Sequence, residues 1–170
     1  MRMQGVAITK TKQVPFLPAI EAVNHNRIVT KHFCNVCMYL KHEESSMLHW
    51  LVYRSAADNT FNYSMNLLRA YEKSIIESNK LYNESNAKRR INGLRTSVFY
   101  LRNTIIDLIE KGYLFWVMDD KLIINPMLCY YEYLSAKEYS QFCRDYNTRT
   151  DVMDVQILMI QYMQMVKNKM

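Results

Sequence analysis

The chain has 170 residues, with 22 Lys and Arg against 16 Asp and Glu, and a formal net charge of +6 at neutral pH. Hydrophobic residues make up 49% of it, which is ordinary for a globular domain. Glycine and proline occur only three times each, and this scarcity argues against a sandwich or barrel and favours long helices. The N-terminus lacks a continuous apolar stretch, and no apolar run reaches the roughly 20 residues that cross a bilayer. We therefore expect a soluble, cytoplasmic protein with no membrane partner.

Residues 1–42 are predicted to form an N-terminal arm or short strands. Residues 6–8 and 27–40 contain β-branched stretches, and Pro15 and Pro18 interrupt regular structure between them. Extended structure is therefore expected before the first core helix.

Two amphipathic helices and a connector are predicted next. Apolar residues recur at helical spacing within 43–57, which indicates a core helix, and residues 60–63 could form one short strand. Ser64 is the expected N-cap of the second helix, because its hydroxyl can accept a hydrogen bond from an otherwise unpaired amide. From residue 78 to 90 the sequence is polar and rich in Asn and Ser, which predicts a flexible connector.

A third helix and a hairpin follow. The helix is expected to begin near Thr96 or Ser97 and to end at Lys111, because Gly112 suits a left-handed C-terminal stop. Its core-facing residues fall within one arc of about 100°; they are Val98, Leu101, Ile105, Leu108 and Ile109. Two β-prone runs, 113–118 and 121–124, flank Asp119 and Asp120, which tolerate a turn conformation.

The C-terminal residues predict two further helices. Ser135 and Glu138 form a capping box that opens a helix toward Tyr146. Residues 152–166 form a Met-rich apolar helix. It either packs on its own domain or provides a homodimer contact, since a broad apolar face is costly to leave in water and Met adapts to varied partners.

Nearly all of the net charge lies in one stretch. Residues 85–106 contain five basic residues and no acidic one; the five are Lys88, Arg89, Arg90, Arg95 and Arg102. Clustered Lys and Arg gain by releasing counterions from a nucleic-acid backbone. A basic solvated loop is the alternative interpretation of the same charges.

The order helix, strand, helix, basic connector, helix, glycine and hairpin is typical of a winged helix-turn-helix. The runs Leu-Ile-Glu-Lys-Gly-Tyr-Leu at 108–114 and Ile-Ile-Asn-Pro at 123–126 resemble the RepL-type replication proteins of plasmids and related mobile elements. The resemblance covers roughly residues 47–128 and implies a winged-helix fold and a role in replication. Two features depart from it: the connector is long, and the hairpin tip carries Asp119 and Asp120 where a phosphate-binding wing usually has Lys or Arg.

The third helix is the predicted element that reads DNA. Thr96, Phe99, Tyr100 and Asn103 lie opposite its core arc. Asn can bond adenine through two hydrogen bonds, Thr and Tyr can contact bases or phosphates, and Phe can touch a thymine methyl group. Arg95 and Arg102 flank this face and suit phosphate or guanine. The predicted DNA-binding set is Lys88, Arg89, Arg90, Arg95, Thr96, Phe99, Tyr100, Arg102, Asn103 and Lys121.

Neither a metal site nor an enzyme is expected. Cys34 and Cys37 form a C-x-x-C near His32 and His42, but zinc needs a second ligand pair, and the two remaining cysteines, at 129 and 143, are too far apart. Buried, reduced thiols are the preferred interpretation. Tyr130 and Tyr131 are interpreted as core or interface aromatics. The chain has no His-x-His, P-loop or nucleophile-elbow motif, so no catalytic residue and no cofactor is predicted.

The sequence thus predicts a mainly α protein with a small β-hairpin, organised as a winged helix-turn-helix with an N-terminal extended arm and C-terminal helices. The expected division is an arm or short strands at 1–42, a DNA-binding domain at 43–128 and a helical extension at 129–170. The expected function is sequence-specific binding of double-stranded DNA in replication initiation or control of a plasmid, phage or other mobile element. The alternatives are a transcriptional regulator and a structural or interaction protein that uses the fold to bind protein.

Overall fold

The computed structural model of the chain describes residues 6–7, 26–85 and 98–170. The described fold is mainly helical, with small antiparallel sheets. Its helices are α1 (Lys31–Tyr39), α2 (His42–Arg54), α3 (Met65–Ser85), α4 (Val98–Glu110), α5 (Ala136–Thr148) and α6 (Val152–Lys167). Its strands are β1 (Val6–Ala7), β2 (Arg27–Val29), β3 (Thr60–Asn62), β4 (Leu114–Met118), β5 (Lys121–Ile124) and β6 (Cys129–Tyr131). None of the described helices is both long and apolar enough to span a membrane.

A three-stranded sheet, in the order β3-β5-β4, lies between two layers of helices. Alternate residues of β5 face opposite layers, as the period of a strand requires. Leu122 and Ile124 are fully buried in the core that includes α2, α3 and α4, whereas Ile123 is buried in the core that includes α5 and α6. Both faces of this small sheet are therefore covered, which explains why β5 is apolar throughout after Lys121.

A second sheet, in the order β1-β2-β6, joins the N-terminal residues to the chain beyond the hairpin. Arg27 of β2 is buried, and its guanidinium donates to the Val52 carbonyl and the Ser55 hydroxyl at the end of α2. A cation at a helix C-terminus is stabilised by the carbonyls that lack a partner within the helix. β2 is thereby attached to the helical layer as well as to β6.

The structure corrects two expectations about secondary structure. Residues 31–39 form α1 rather than extended structure, because the Thr30 side chain caps the helix by accepting from the Phe33 amide at 3.3 Å, and Phe33 and Val36 bury one face. The predicted connector is also too long, since α3 continues through the polar stretch to Ser85. No Gly or Pro interrupts residues 65–85, so the helix has no local reason to stop earlier. Residues 86–90 of the predicted connector lie outside the described residues.

The other predicted elements are confirmed. α2, β3, the β4–β5 hairpin and α6 have nearly the predicted bounds. Ser64 accepts from the Leu67 amide at 3.2 Å, as an N-cap should. The Ser135–Glu138 capping box is present at the start of α5. Gly112 has φ +74°, the left-handed conformation that ends α4; the predicted start of this helix at residues 96–97 lies outside the described residues.

Candidate nucleic-acid interface

Helix α4 has one buried face and one exposed face. Leu101, Ile105 and Leu108 are at most 3% exposed, as their predicted core arc requires. The exposed stripe runs along residues three or four apart; its members are Phe99, Arg102, Ile106 and Glu110. The buried face fixes the orientation of the helix, so this stripe is the surface that it presents to solvent.

The exposed face of α4 agrees in part with the face predicted from the sequence. Phe99 is 69% and Tyr100 44% exposed, as predicted, whereas Asn103 is half-buried and Ile106, which was not predicted, is 42% exposed. Thr104, a polar residue, is buried at 8%. Its hydroxyl donates to the Tyr100 carbonyl at 2.9 Å, so burial leaves this hydroxyl with a partner.

The remaining predicted site residues divide into two groups. One group lies outside the described residues; it comprises Lys88, Arg89, Arg90, Arg95 and Thr96. Arg102 is exposed on α4, and Lys121 is half-buried at the start of β5, opposite Asn62 and Met118. Arg102 therefore lies on the exposed stripe, while Lys121 lies on the hairpin.

The acidic residues of α4 lie only in its C-terminal half, next to Glu44 of α2. Asp107 lies 3.8 Å from the Lys41 ammonium. Glu44, whose side chain is 2% exposed, accepts from the Lys111 ammonium with both carboxylate oxygens at 2.7 Å and from the Lys41 amide at 3.0 Å. Glu44 is a structural residue that the sequence analysis missed: it joins the start of α2 to the end of α4. The N-terminal half of α4 has no acidic side chain.

Asn125 fixes the hairpin against the end of α4. This residue is 4% exposed, and its amide nitrogen donates to the Gly112 carbonyl and the Tyr146 hydroxyl, both at 3.0 Å. Its side-chain oxygen accepts from the Met127 amide at 2.9 Å. The Asn-Pro motif, on which the family resemblance partly rests, therefore has a structural role here. Asn125 connects the residue that ends α4, the chain that follows β5, and α5.

The hairpin tip is acidic and lies beside two aromatic residues, the half-buried Tyr63 and the exposed Trp116. Asp119 and Asp120 are exposed, and neither makes an ion pair among the described residues. The Tyr63 amide donates to the Asp120 carbonyl at 2.7 Å. The rings of Tyr63 and Trp116 are perpendicular, with centroids 5.6 Å apart. We call these four residues, Tyr63, Trp116, Asp119 and Asp120, the tip patch.

The structure corrects the expectation that all four cysteines are buried. Cys129 and Cys143 are buried and Cys37 is half-buried, but Cys34 is exposed, because it lies on the outer side of α1.

Burial raises the pKa of the Cys37 thiol to about 11. The thiol lies 3.8 Å from His49 Nδ1, which donates to the Ser45 carbonyl at 2.8 Å. Burial also lowers the pKa of His49, so the pair is a neutral thiol and a neutral imidazole rather than an activated nucleophile. The part of the chain that the structure describes contains no group of three or more His, Cys, Asp or Glu side chains that could hold a metal ion.

The C-terminal aromatic and Met residues pack within the protein. Tyr131 is 6% exposed, and Tyr130 stacks on Tyr139 with ring centroids 3.8 Å apart, which confirms their interpretation as core aromatics. Met159 and Met163 of α6 are at most 3% exposed. The main apolar face of α6 is therefore covered by its own domain.

Comparisons with protein-family models, with curated proteins and with solved structures gave no match.

Proposed function

We propose that this chain is a winged helix-turn-helix protein that binds double-stranded DNA sequence-specifically through the N-terminal half of α4. The observation that carries the proposal is the exposed stripe of α4, on a helix whose opposite face is buried and which leads through Gly112 into the β4–β5 hairpin. The order α2, β3, α3, α4, β4, β5 and the sheet order β3-β5-β4 support the fold assignment.

The dimensions and chemistry of α4 suit a major groove. A helix with side chains is about 10–12 Å across, and the groove is about 12 Å wide. Phe99 and Ile106 can contact thymine methyl groups, Asn103 can bond adenine, and Arg102 can contact guanine or phosphate. The acidic side chains at the C-terminal half favour entry of the N-terminal half, which is the part of a recognition helix that contacts base edges.

The basic segment supplies the second support. Residues 85–106 carry five basic side chains and no carboxylate. Phosphate contacts by such residues would give affinity without sequence preference, while the α4 side chains would give specificity. The proposed process is the one that the resemblance to RepL-type proteins implies: replication initiation or control in a mobile element, in the cytoplasm. A homodimer would match a palindromic site, and it would use the apolar residues of α6 that stay exposed, Val152, Met153 and Ile157.

Duplex binding at several salt concentrations tests the proposal. Selection from random duplexes should return a motif, and the logarithm of affinity should fall with the logarithm of salt by about 0.9 per phosphate contact. If Arg102 binds phosphate, Arg102→Ala should reduce the salt slope by about 0.9, the value of one phosphate contact. Arg144→Ala is the matched control, because Arg144 is exposed on α5, outside the proposed interface. Changing Arg89, Arg90, Arg95 and Arg102 together should reduce the slope further.

Base readout is tested separately. Asn103→Ala and Tyr100→Ala should each relax preference at individual base pairs by ~1–3 kcal/mol. An unchanged motif in both variants would show that these residues do not read bases. Absence of any motif, together with a salt slope that none of the basic substitutions changes, would overturn the proposal as a whole.

Two other functions predict different outcomes. A transcriptional regulator would also return a motif, but mapping of the bound genomic DNA would place it at promoters rather than at an origin. A structural or interaction protein would return no motif. The acidic hairpin tip is the observation that favours this last function, because like charges repel phosphate.

A further inference from the structure

The tip patch combines a partly exposed tryptophan with a second aromatic wall. Trp116 is 36% exposed, whereas Trp50, the other tryptophan of the chain, is 1% exposed. Trp116 is paired with Leu122 in the β4–β5 register, and Tyr63 packs against the same core as Leu122. The two rings therefore lie together on one side of the sheet, beyond the core that α2, α3 and α4 cover.

Backbone contacts hold the tip patch in place. The Gln156 side chain of α6 donates to the Trp116 carbonyl at 2.9 Å, and the Tyr63 amide bonds the Asp120 carbonyl. The pairing register of β4 with β5 shifts between Trp116 and Met118. A site whose walls are already fixed loses less conformational entropy when a ligand binds.

The charge of the tip patch is opposite to that of the chain. Asp119 and Asp120 are exposed and have no Lys or Arg within ion-pair distance among the described residues, although the chain as a whole carries +6. A cationic peptide would therefore not be attracted to this protein by net charge. Attraction would have to come from a local acidic site such as this one.

We propose that the tip patch binds an arginine side chain of a partner protein. The guanidinium would stack on the exposed Trp116 ring, with Tyr63 beside it and the two carboxylates facing its charge. Arginine suits this arrangement better than lysine, because its planar group both stacks on aromatic rings and bonds carboxylates. The chain itself contains the same pairing, since the Arg54 guanidinium lies 4.7 Å from the centre of the Trp50 ring. A nucleic acid is disfavoured here, because its phosphates would face the carboxylates.

This inference goes beyond DNA binding and does not depend on it. Its test uses the full chain without DNA at low ionic strength. The probe is a blocked tetrapeptide with two adjacent arginines, and its lysine and citrulline counterparts serve as comparisons. Tryptophan fluorescence should change saturably as the arginine peptide is added. The lysine peptide should bind several-fold more weakly, and the citrulline peptide, whose side chains are neutral, at least tenfold more weakly.

Variants assign the binding to the tip patch. Asp119→Asn with Asp120→Asn should weaken binding at least tenfold, measured by calorimetry, and Trp116→Phe should weaken it several-fold and remove the fluorescence change. Asp145→Asn and Asp154→Asn, on α5 and α6, should leave affinity unchanged. Because both aspartates are exposed, the double variant should unfold in urea at the wild-type midpoint. Equal affinity of the folded double variant, equal affinity for citrulline, or a larger Trp116 response to a DNA oligonucleotide than to the peptide would each overturn the inference.

Discussion

Asn125→Asp is expected to destabilise the protein strongly although it changes only one side-chain atom. The Asn125 amide nitrogen donates to the Gly112 carbonyl and the Tyr146 hydroxyl at 3.0 Å, in a site that is 4% exposed. Aspartate replaces this donor by an acceptor that faces the Gly112 carbonyl. The hydrogen bond to Gly112 is lost at a cost of about 1 kcal/mol, and the buried oxygen that faces this carbonyl adds about 1–3 kcal/mol, whereas the Tyr146 hydroxyl can donate to the new oxygen. We therefore expect a loss of about 3 kcal/mol, a large fraction of a typical stability of about 5–15 kcal/mol.

Urea unfolding measures this loss. The midpoint should fall with an unchanged denaturant dependence, and the melting temperature should fall by about 10 °C, given about 2–4 °C per kcal/mol for a chain of this size. Burial would raise the pKa of the new carboxyl in the folded state, so the destabilisation should grow as pH rises through the ordinary range of aspartate, near 4. Asn147→Asp, exposed on α5, is the matched control. A loss below about 0.5 kcal/mol, the range of ordinary surface substitutions, would refute the structural role assigned to Asn125.

Three further predictions follow from charge and burial. Asp119→Asn with Asp120→Asn should raise duplex affinity, most at low salt, if the tip is near phosphate, and leave it unchanged if the tip points away; a clear loss in a folded variant would mean that the hairpin is misplaced. Cys34 should react with iodoacetamide at pH 8 much faster than Cys37, whose pKa is raised to about 11; equal rates by mass spectrometry would contradict this. The folded-state pKa of His49 lies below its ordinary 6.5, so only the unfolded state takes up a proton between these values and the free energy of unfolding should fall as pH drops below about 6.5. That fall should be smaller in His49→Gln, and an identical pH dependence would exclude His49 as its source.

Periodicity and capping signals predicted most of the described elements, because each depends on residues that are close in sequence. Ser64, Gly112 and the Ser135–Glu138 box act within one helical turn, so a single sequence contains the whole signal. α1 was missed for the opposite reason. Its buried residues Phe33 and Val36 gain their stability from the distant core that they join, and tertiary packing overrides a weak β-propensity.

The candidate site was predicted less well than the fold. Phe99, Tyr100 and Arg102 are exposed as predicted, but Asn103 is half-buried, Ile106 is exposed and Thr104 is buried. These differences depend on how α4 packs against α2 and α3, which no local pattern encodes. Glu44 was missed because its partner Lys111 is 67 residues away. The aspartates of the tip patch were recognised, but their aromatic neighbour Tyr63 directly follows β3, in a separate stretch of chain.

The acidic tip patch and the proposed DNA surface become compatible if an arginine occupies the patch. The guanidinium would neutralise part of the charge of Asp119 and Asp120, and with it the repulsion of any phosphate within the screening length of about 8 Å at physiological salt. The partner would then raise DNA affinity, and by linkage DNA would raise partner affinity by the same factor. Duplex titrations with and without the arginine peptide measure that factor, which should be above one for wild type and should fall to one when both aspartates are changed to Asn. A factor below one for wild type would mean that peptide and DNA compete for the same surface, and the tip patch would then lie within the DNA interface rather than beside it.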